Sequence, residues 1–271
     1  MRRALRWSPL ALLLSGCEVL KAVHLPEDAS AEGWRIDEMI HSTTAFVALI
    51  FAIMIAWLLI IFFRHGRGHV AHFDHGDSPR SFRWTLVTAG LIFFVVDGDL
   101  LLSSLKALRE VYGNFAGAEA TPGAVRVEVT AHQWAWAMRY AGADGRFDTA
   151  DDIVTLNELV LPVGKPAIFQ VASTDVVHGF NVPAMRMKID AVPGTINQML
   201  FTPAKVGTWE IACAQHCGAN HYKMRGTVTV LAEADYAAWL RLAQANATSA
   251  FDPKDTVAHW GWDWARHSRI P

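Results

Sequence analysis

Residues 208–230 read T-W-E-I-A-C-A-Q-H-C-G-A-N-H-Y-K-M-R-G-T-V-T-V. Both ends have strand character, with β-branched or alternating residues in Thr208–Ala212 and Gly226–Val230. Between them Cys213, Cys217, His221 and Met224 therefore sit on a loop and not along a helix. Rigid strands on either side of such a loop are a means of holding metal ligands in place. Thiolate and thioether are soft ligands that favour copper, while imidazole suits copper, zinc, iron or nickel, so the combination points to copper. One Cys with His and a weak axial Met makes a mononuclear blue-copper site; a second Cys on the same loop adds a thiolate that can bridge two metals. A second copper needs a second imidazole. His178, in a segment (176–182) that reads as a strand running into a loop, is the best placed. Two other chemistries stay open here: a Cys213–Cys217 disulfide, and a structural zinc site closed by His178 and His221. Neither uses Met224.

Working outward, short strand-like segments recur at 125–130, 158–161, 167–172 and 196–202, bounded by Pro, Gly or Asp. Regular short strands with turn residues between them predict a sandwich or barrel over residues 123–232. Residues 233–245 read as a short amphipathic helix opening a C-terminal tail, 233–271. The tail ends in the alternating run His259-Trp260-Gly261-Trp262-Asp263-Trp264, which is expected to pack against the barrel or a neighbour.

The N-terminal third has a different composition. Arg2, Arg3 and Arg6 precede a short apolar run that ends Leu14-Ser15-Gly16-Cys17, the pattern of a secretory signal over residues 1–16. The ending resembles the bacterial lipobox, which implies cleavage before Cys17 and a lipid on its sulfur; the alternative is an ordinary signal cut nearby. A polar lead-in (17–38) is followed by a transmembrane hairpin over 39–105, with apolar spans Met39–Phe63 and Trp84–Leu105. Arg64, Arg67, Arg80 and Arg83 in the intervening loop outnumber Asp74 and Asp77, which places the loop in the cytoplasm and both outer ends outside. The loop histidines 65, 69, 72 and 75 read as solvated. Asp97 and Asp99 interrupt the second span, so either they face a protein partner at membrane depth or they meet water near the outer interface. Residues 106–123 read as a linker.

Composition excludes some functions. The chain has 271 residues, 52% hydrophobic content and a net charge of -2, which gives no reason to expect nucleic acid. Its 3 Cys leave only the loop pair once Cys17 is lipidated, so there is no disulfide scaffold. No C-x-x-C-H occurs, so no c-type haem is attached.

His178 with Cys213, Cys217, His221 and Met224 resembles the binuclear copper (Cu-A) signature of subunit II of the haem-copper respiratory oxidases, and the likeness runs from the first span to about Val230. It implies a membrane-anchored all-β protein, two transmembrane helices followed by a cupredoxin-like Greek-key β-barrel. It further implies that both Cys bridge both coppers, that each His binds one, that Met224 completes one copper and that the backbone carbonyl of Gln215 completes the other. Trp134, in His132-Gln133-Trp134-Ala135-Trp136, matches the residue proposed to receive electrons in the family, although Ala135 stands where Tyr is usual. Lys188–Gly194 matches a segment that faces the haem-bearing subunit, with Thr195 in place of a frequent Arg. Gln215 replaces the usual Glu, so the magnesium site between subunits is not expected. The stretch Ser81-Phe82-Arg83 lacks the Glu found at a proton-channel mouth.

The expected function is that of cytochrome c oxidase subunit II in a bacterial inner membrane, with its barrel on the periplasmic side. Electrons would arrive from cytochrome c or another periplasmic donor and leave for haem in subunit I, which also holds Cu-B. The alternatives are a nitric oxide reductase subunit, a copper-delivery lipoprotein and a zinc-stabilised binding module. The carboxylates at Asp144, Asp148, Asp151 and Asp152 form either a calcium site or a solvated hairpin tip.

Overall fold

The structure, a computed structural model, describes residues 25–250 apart from 67, 71, 72, 74 and 148. The signal 1–16, Cys17, His72, Asp148 and the Trp-rich run lie outside the described residues.

Helix α1 (Gly33–Arg64) begins several residues before the apolar span, because nothing in Gly33–Glu38 breaks a helix. The Ser30 hydroxyl accepts the Gly33 N–H at 2.8 Å and satisfies one of the free donors at its start. Helix α2 (Pro79–Leu91) opens with Pro79 behind Ser78, whose hydroxyl accepts the Ser81 N–H. A π-helical turn (Ile92–Asp97) joins it to α3 (Gly98–Ala107). A second π-helical turn (Leu108–Tyr112) and the short α4 (Phe115–Glu119) follow. The expected linker at 106–123 is thus largely helical. Its first Gly is Gly113, and nothing earlier in it stops a helix.

An ion pair sets the register of the hairpin. Arg35 Nη2 lies 2.6 Å from Glu110 Oε2, joining the outer ends of the two helical runs. Asp97 closes the first π-helical turn and Asp99 lies in the first turn of α3. Both are exposed on this chain.

The rest is a sandwich of two five-stranded sheets. Its strands are β1 (Val125–His132), β2 (Ala135–Tyr140), β3 (Ile153–Leu156), β4 (Glu158–Pro162), β5 (Ala167–Ser173), β6 (His178–Val182), β7 (Met187–Ala191), β8 (Asn197–Phe201), β9 (Gly207–Cys213) and β10 (Arg225–Leu231). One sheet runs β3-β2-β1-β5-β8 and the other β4-β10-β9-β6-β7. Only β1–β5 and β4–β10 pair in parallel. The period of two directs Val127, Val129 and Ala131 into the core, with Trp136, Phe169, Phe180 and Phe201 from neighbouring strands. Strands β2, β3 and β7 go beyond the sequence reading. In β2 five consecutive residues are buried, so no alternation shows; β3 and β7 are short edge strands.

Helix α5 (Glu233–Ala250) lies on the sandwich with Trp239, Leu240 and Ala243 against the core. The Tyr140 and Trp239 rings meet edge to face at 5.4 Å. The hairpin is tied to the sandwich through residues 29–31. Ala29 N–H donates to Ala184 O at 2.8 Å, Ala31 N–H to Thr202 O at 2.9 Å, and Arg186 Nε to Asp37 Oδ1 at 2.6 Å.

Candidate metal centre

Neighbouring strands bring the ligands together. β9 leads into the loop and β10 out of it, and β6 lies beside β9, so His178 at the start of β6 reaches the loop across the sheet. The Cys213 N–H donates to Met224 O at 3.1 Å and closes the loop base. The Ala214 N–H donates to Gly179 O at 2.9 Å, and a Cβ on Gly179 would sit 2.9 Å from the Ala214 carbonyl carbon, so only glycine lets the loop approach β6 this closely.

The donor atoms converge. Cys213 Sγ and Cys217 Sγ are 3.7 Å apart, as two free thiols. The Gln215 carbonyl lies 3.1 Å from Cys213 Sγ, His221 Nδ1 3.6 Å from Cys217 Sγ, and Met224 Sδ 3.8 Å from Cys217 Sγ. His178 Nδ1 lies 3.1 Å from Met224 Sδ. The His178, Cys213 and Cys217 donors all fall within 4.8 Å of one another. The cluster has an inner and an outer side: His178, Cys217 and Met224 are buried, whereas Cys213 and His221 are half-buried and Gln215 is exposed.

Asp175 determines how His178 presents itself. Its Oδ1 lies 2.8 Å from His178 Nε2, which makes Nε2–H the donor and leaves the Nδ1 lone pair facing the cluster. Asp175 also accepts the N–H groups of Gln133 and Val176, each at 2.6 Å. Burial works to raise the Asp175 carboxyl, but the bonds from His178, Val176 and Gln133 outweigh it and hold the carboxyl below its usual range. Burial, and next the neighbouring Cys213, push the Cys217 thiol up to about 12.

These contacts fit a soft cation. His178 Nδ1 and Met224 Sδ, two atoms able to bind a metal, face each other at 3.1 Å. A metal resolves that contact, and so does a thiophilic ion between the sulfurs. The buried thioether has no role in a zinc site of two Cys and two His.

Trp134 is half-buried, and its indole N–H donates to Cys217 O at 3.3 Å. Gln133 Nε2 donates to the same carbonyl at 2.8 Å. Gly218, with φ 119°, is the loop residue against which both side chains rest. Trp136 is fully buried and packs with its ring 6.0 Å from the His178 ring and 5.1 Å from Phe180.

Sequence reading did not identify Asp175, Gln133 or Gly179. A carboxylate three residues before His178 was the available sign of the first. Among the described residues of the 144–152 turn, Asp144, Asp151 and Asp152 are engaged locally. Asp144 and Asp151 accept from the Thr149 hydroxyl at 3.4 and 2.8 Å, and Asp152 lies 3.7 Å from Arg139. Thr149, ahead of burial, sets the direction for Asp151, whose carboxyl is held below its usual range.

The family description "Cytochrome C oxidase subunit II, periplasmic domain" matches residues 125–231. An alternative cytochrome c oxidase subunit 2 of Bradyrhizobium diazoefficiens is 33% identical over 235 residues, 78% of this chain and 81% of that protein. A cytochrome c oxidase subunit 2 of Alkalihalophilus pseudofirmus is 29% identical, covering 96% of this chain and 72% of that protein. Among solved structures, the periplasmic domain of subunit II of cytochrome oxidase of Bradyrhizobium japonicum is 28% identical, covering 45% of this chain and 94% of that one at a TM-score of 0.41.

Proposed function

The chain belongs to the cytochrome c oxidase subunit II family, and on that premise we propose that it is the electron-accepting subunit of a respiratory haem-copper oxidase in a bacterial inner membrane. The observation that carries this reading is the convergence of two thiols, two imidazoles, a thioether and the Gln215 carbonyl on one loop and one strand end. His178, Cys213, Gln215, Cys217, His221 and Met224 would hold a binuclear copper centre. When bound, such a pair would supply one-electron chemistry, suited to a chain that stands between cytochrome c or another periplasmic donor and haem in subunit I.

The chain's own residues support that task. Asp175 orients His178 and keeps Nε2 protonated, so the imidazole offers one nitrogen in one direction. Gln133 and Trp134 hold the Cys217 carbonyl with two hydrogen bonds. The indole hydrogen bond gives a short path from a half-exposed ring to the backbone of a bridging cysteine, which favours Trp134 as the point where electrons arrive. Burial of His178, Cys217 and Met224 disfavours copper delivery, which needs exchangeable ligands. The two apolar helices favour membrane attachment, with the sandwich on the periplasmic side.

The test is to purify the full chain in detergent, load copper, and record visible absorption and electron paramagnetic resonance. The expected result is a purple protein with one unpaired electron split by two equivalent copper nuclei. A single-copper spectrum would reassign His178 or one bridge, and a colourless protein that retains zinc would defeat the respiratory reading.

A further inference from the structure

A second site lies where the hairpin leaves the apolar layer. A cavity of about 550 Å³ opens between the start of α1 and the π-helical turn Leu108–Tyr112, lined by Glu32, Trp34, Arg35, Arg109, Glu110 and Asn114 among others. That volume lies within the range of about 300–1,000 Å³ usual for small-molecule sites. Its position is set by the Arg35–Glu110 pair, which joins the outer ends of both apolar helices, so a membrane crossed by these helices would bring its headgroups to the cavity.

The charges in the cavity are unequally engaged. Glu32 accepts the Thr202 N–H at 3.0 Å, and Glu110 holds Arg35. Arg109 is exposed, and its guanidinium has no hydrogen bond or ion pair among the described residues. Arg35, with its guanidinium 4.5 Å from the Trp34 ring centroid, keeps donors beyond the one facing Glu110. Glu110 is held by Arg35 and Glu32 by one backbone N–H, while the donors left over are guanidinium N–H groups, which suit a phosphate. Trp34 is 51% exposed, an amphipathic ring of the kind that anchors at a membrane interface.

We propose that this cavity binds the phosphodiester of an outer-leaflet phospholipid, with Arg109 as the principal cation, Arg35 as the second donor and Trp34 against the glycerol region. The acyl chains run down the exposed apolar faces of α1 and α3. The site rests on the reading that both helices cross the membrane, and an alkaline carbonate wash tests that reading first. Release of the chain by carbonate would overturn the membrane reading and the lipid site together.

For a chain that stays in the membrane, native mass spectrometry of the detergent-purified full chain measures binding of phosphatidylglycerol. Phosphate-free diacylglycerol and inorganic phosphate serve as separate probes. The expected result is one retained phosphatidylglycerol and no retained diacylglycerol. Inorganic phosphate alone would be bound weakly or not at all. In Arg109→Gln the retained lipid falls about tenfold, in keeping with loss of one charge-assisted hydrogen bond. Arg83→Gln, at the opposite end of the hairpin, leaves it unchanged. Unchanged circular dichroism shows that the variants fold.

Equal lipid retention by Arg109→Gln overturns the proposal, as does equal binding of diacylglycerol. Retention of inorganic phosphate as firm as that of the lipid would make this a free-phosphate site instead. A photo-crosslinker at position 109 in the assembled complex is expected to label lipid; exclusive labelling of another protein chain overturns the lipid assignment.

Discussion

Asp175 Oδ1 and His178 Nε2 stand 2.8 Å apart, three residues apart on the same turn, with the imidazole fully buried and the carboxylate partly open to solvent. The pairing leaves Nδ1 as the nitrogen that faces Met224 and the two cysteines. Replacing Asp175 with Ala removes this orientation while the thiols, His221 and Met224 stay in place. Copper affinity, measured by competition with a chelator, is expected to fall about 10–100-fold, with loss of the equivalence of the two coppers in the resonance spectrum. Unchanged affinity would mean that Asp175 serves only to close its turn.

Asp97 interrupts the second apolar span and is exposed on its own chain, so at membrane depth its carboxylate would meet another subunit or cost free energy in lipid. Asp97→Leu is expected to leave membrane insertion of the single chain intact. Co-purification with the large subunit should drop several-fold, measured as the ratio of the two chains after detergent extraction. An unaltered ratio would show that water or lipid headgroups satisfy this carboxylate.

Arg186 holds the hairpin to the sandwich through two hydrogen bonds to Asp37, at 2.6 and 3.0 Å, and a third to Pro26 O. It does so from a left-handed backbone conformation, φ 56°. Arg186→Ala removes a charged hydrogen-bonding group from a nearly closed pocket and is expected to cost about 1.5–3 kcal/mol. The loss should appear as faster amide exchange at Ala29 and Ala31, whose bonds to Ala184 and Thr202 lie alongside, with β9 and β10 unaffected.

Tyr236 stacks on Trp239 at 5.5 Å, and burial pushes its phenol up to about 12 from an ordinary 10.0. The unfolded chain therefore loses this proton first as pH rises. The contribution of Tyr236 to stability is complete below pH 10.0 and disappears as pH climbs toward about 12. Alkaline melting of the full chain should show a drop over that window, and Tyr236→Phe should make it smaller. An identical drop in the variant would assign it to other groups.

The donor types, their order on a loop between strands and the two apolar spans were legible without coordinates. Soft-ligand chemistry is written in residue identity, and helix and strand periods are local properties of the chain. The strands β2, β3 and β7 were less legible. Burial on both faces removed the alternation of β2, and the two edge strands are too short to show a pattern.

By itself the sequence determined which atoms are available to bind a metal, and that the chain carries two helices long enough to cross a membrane ahead of a β domain. The tertiary structure alone decided that His178 meets the loop, because β6 lies beside β9 in the second sheet. It also decided that Asp175 and Trp134 touch the same cluster from different turns, and that Arg35 meets Glu110 across the hairpin. These are relations between residues far apart along the chain. Local periodicity carries no record of them; they follow from strand pairing and from single ion pairs such as Arg35–Glu110.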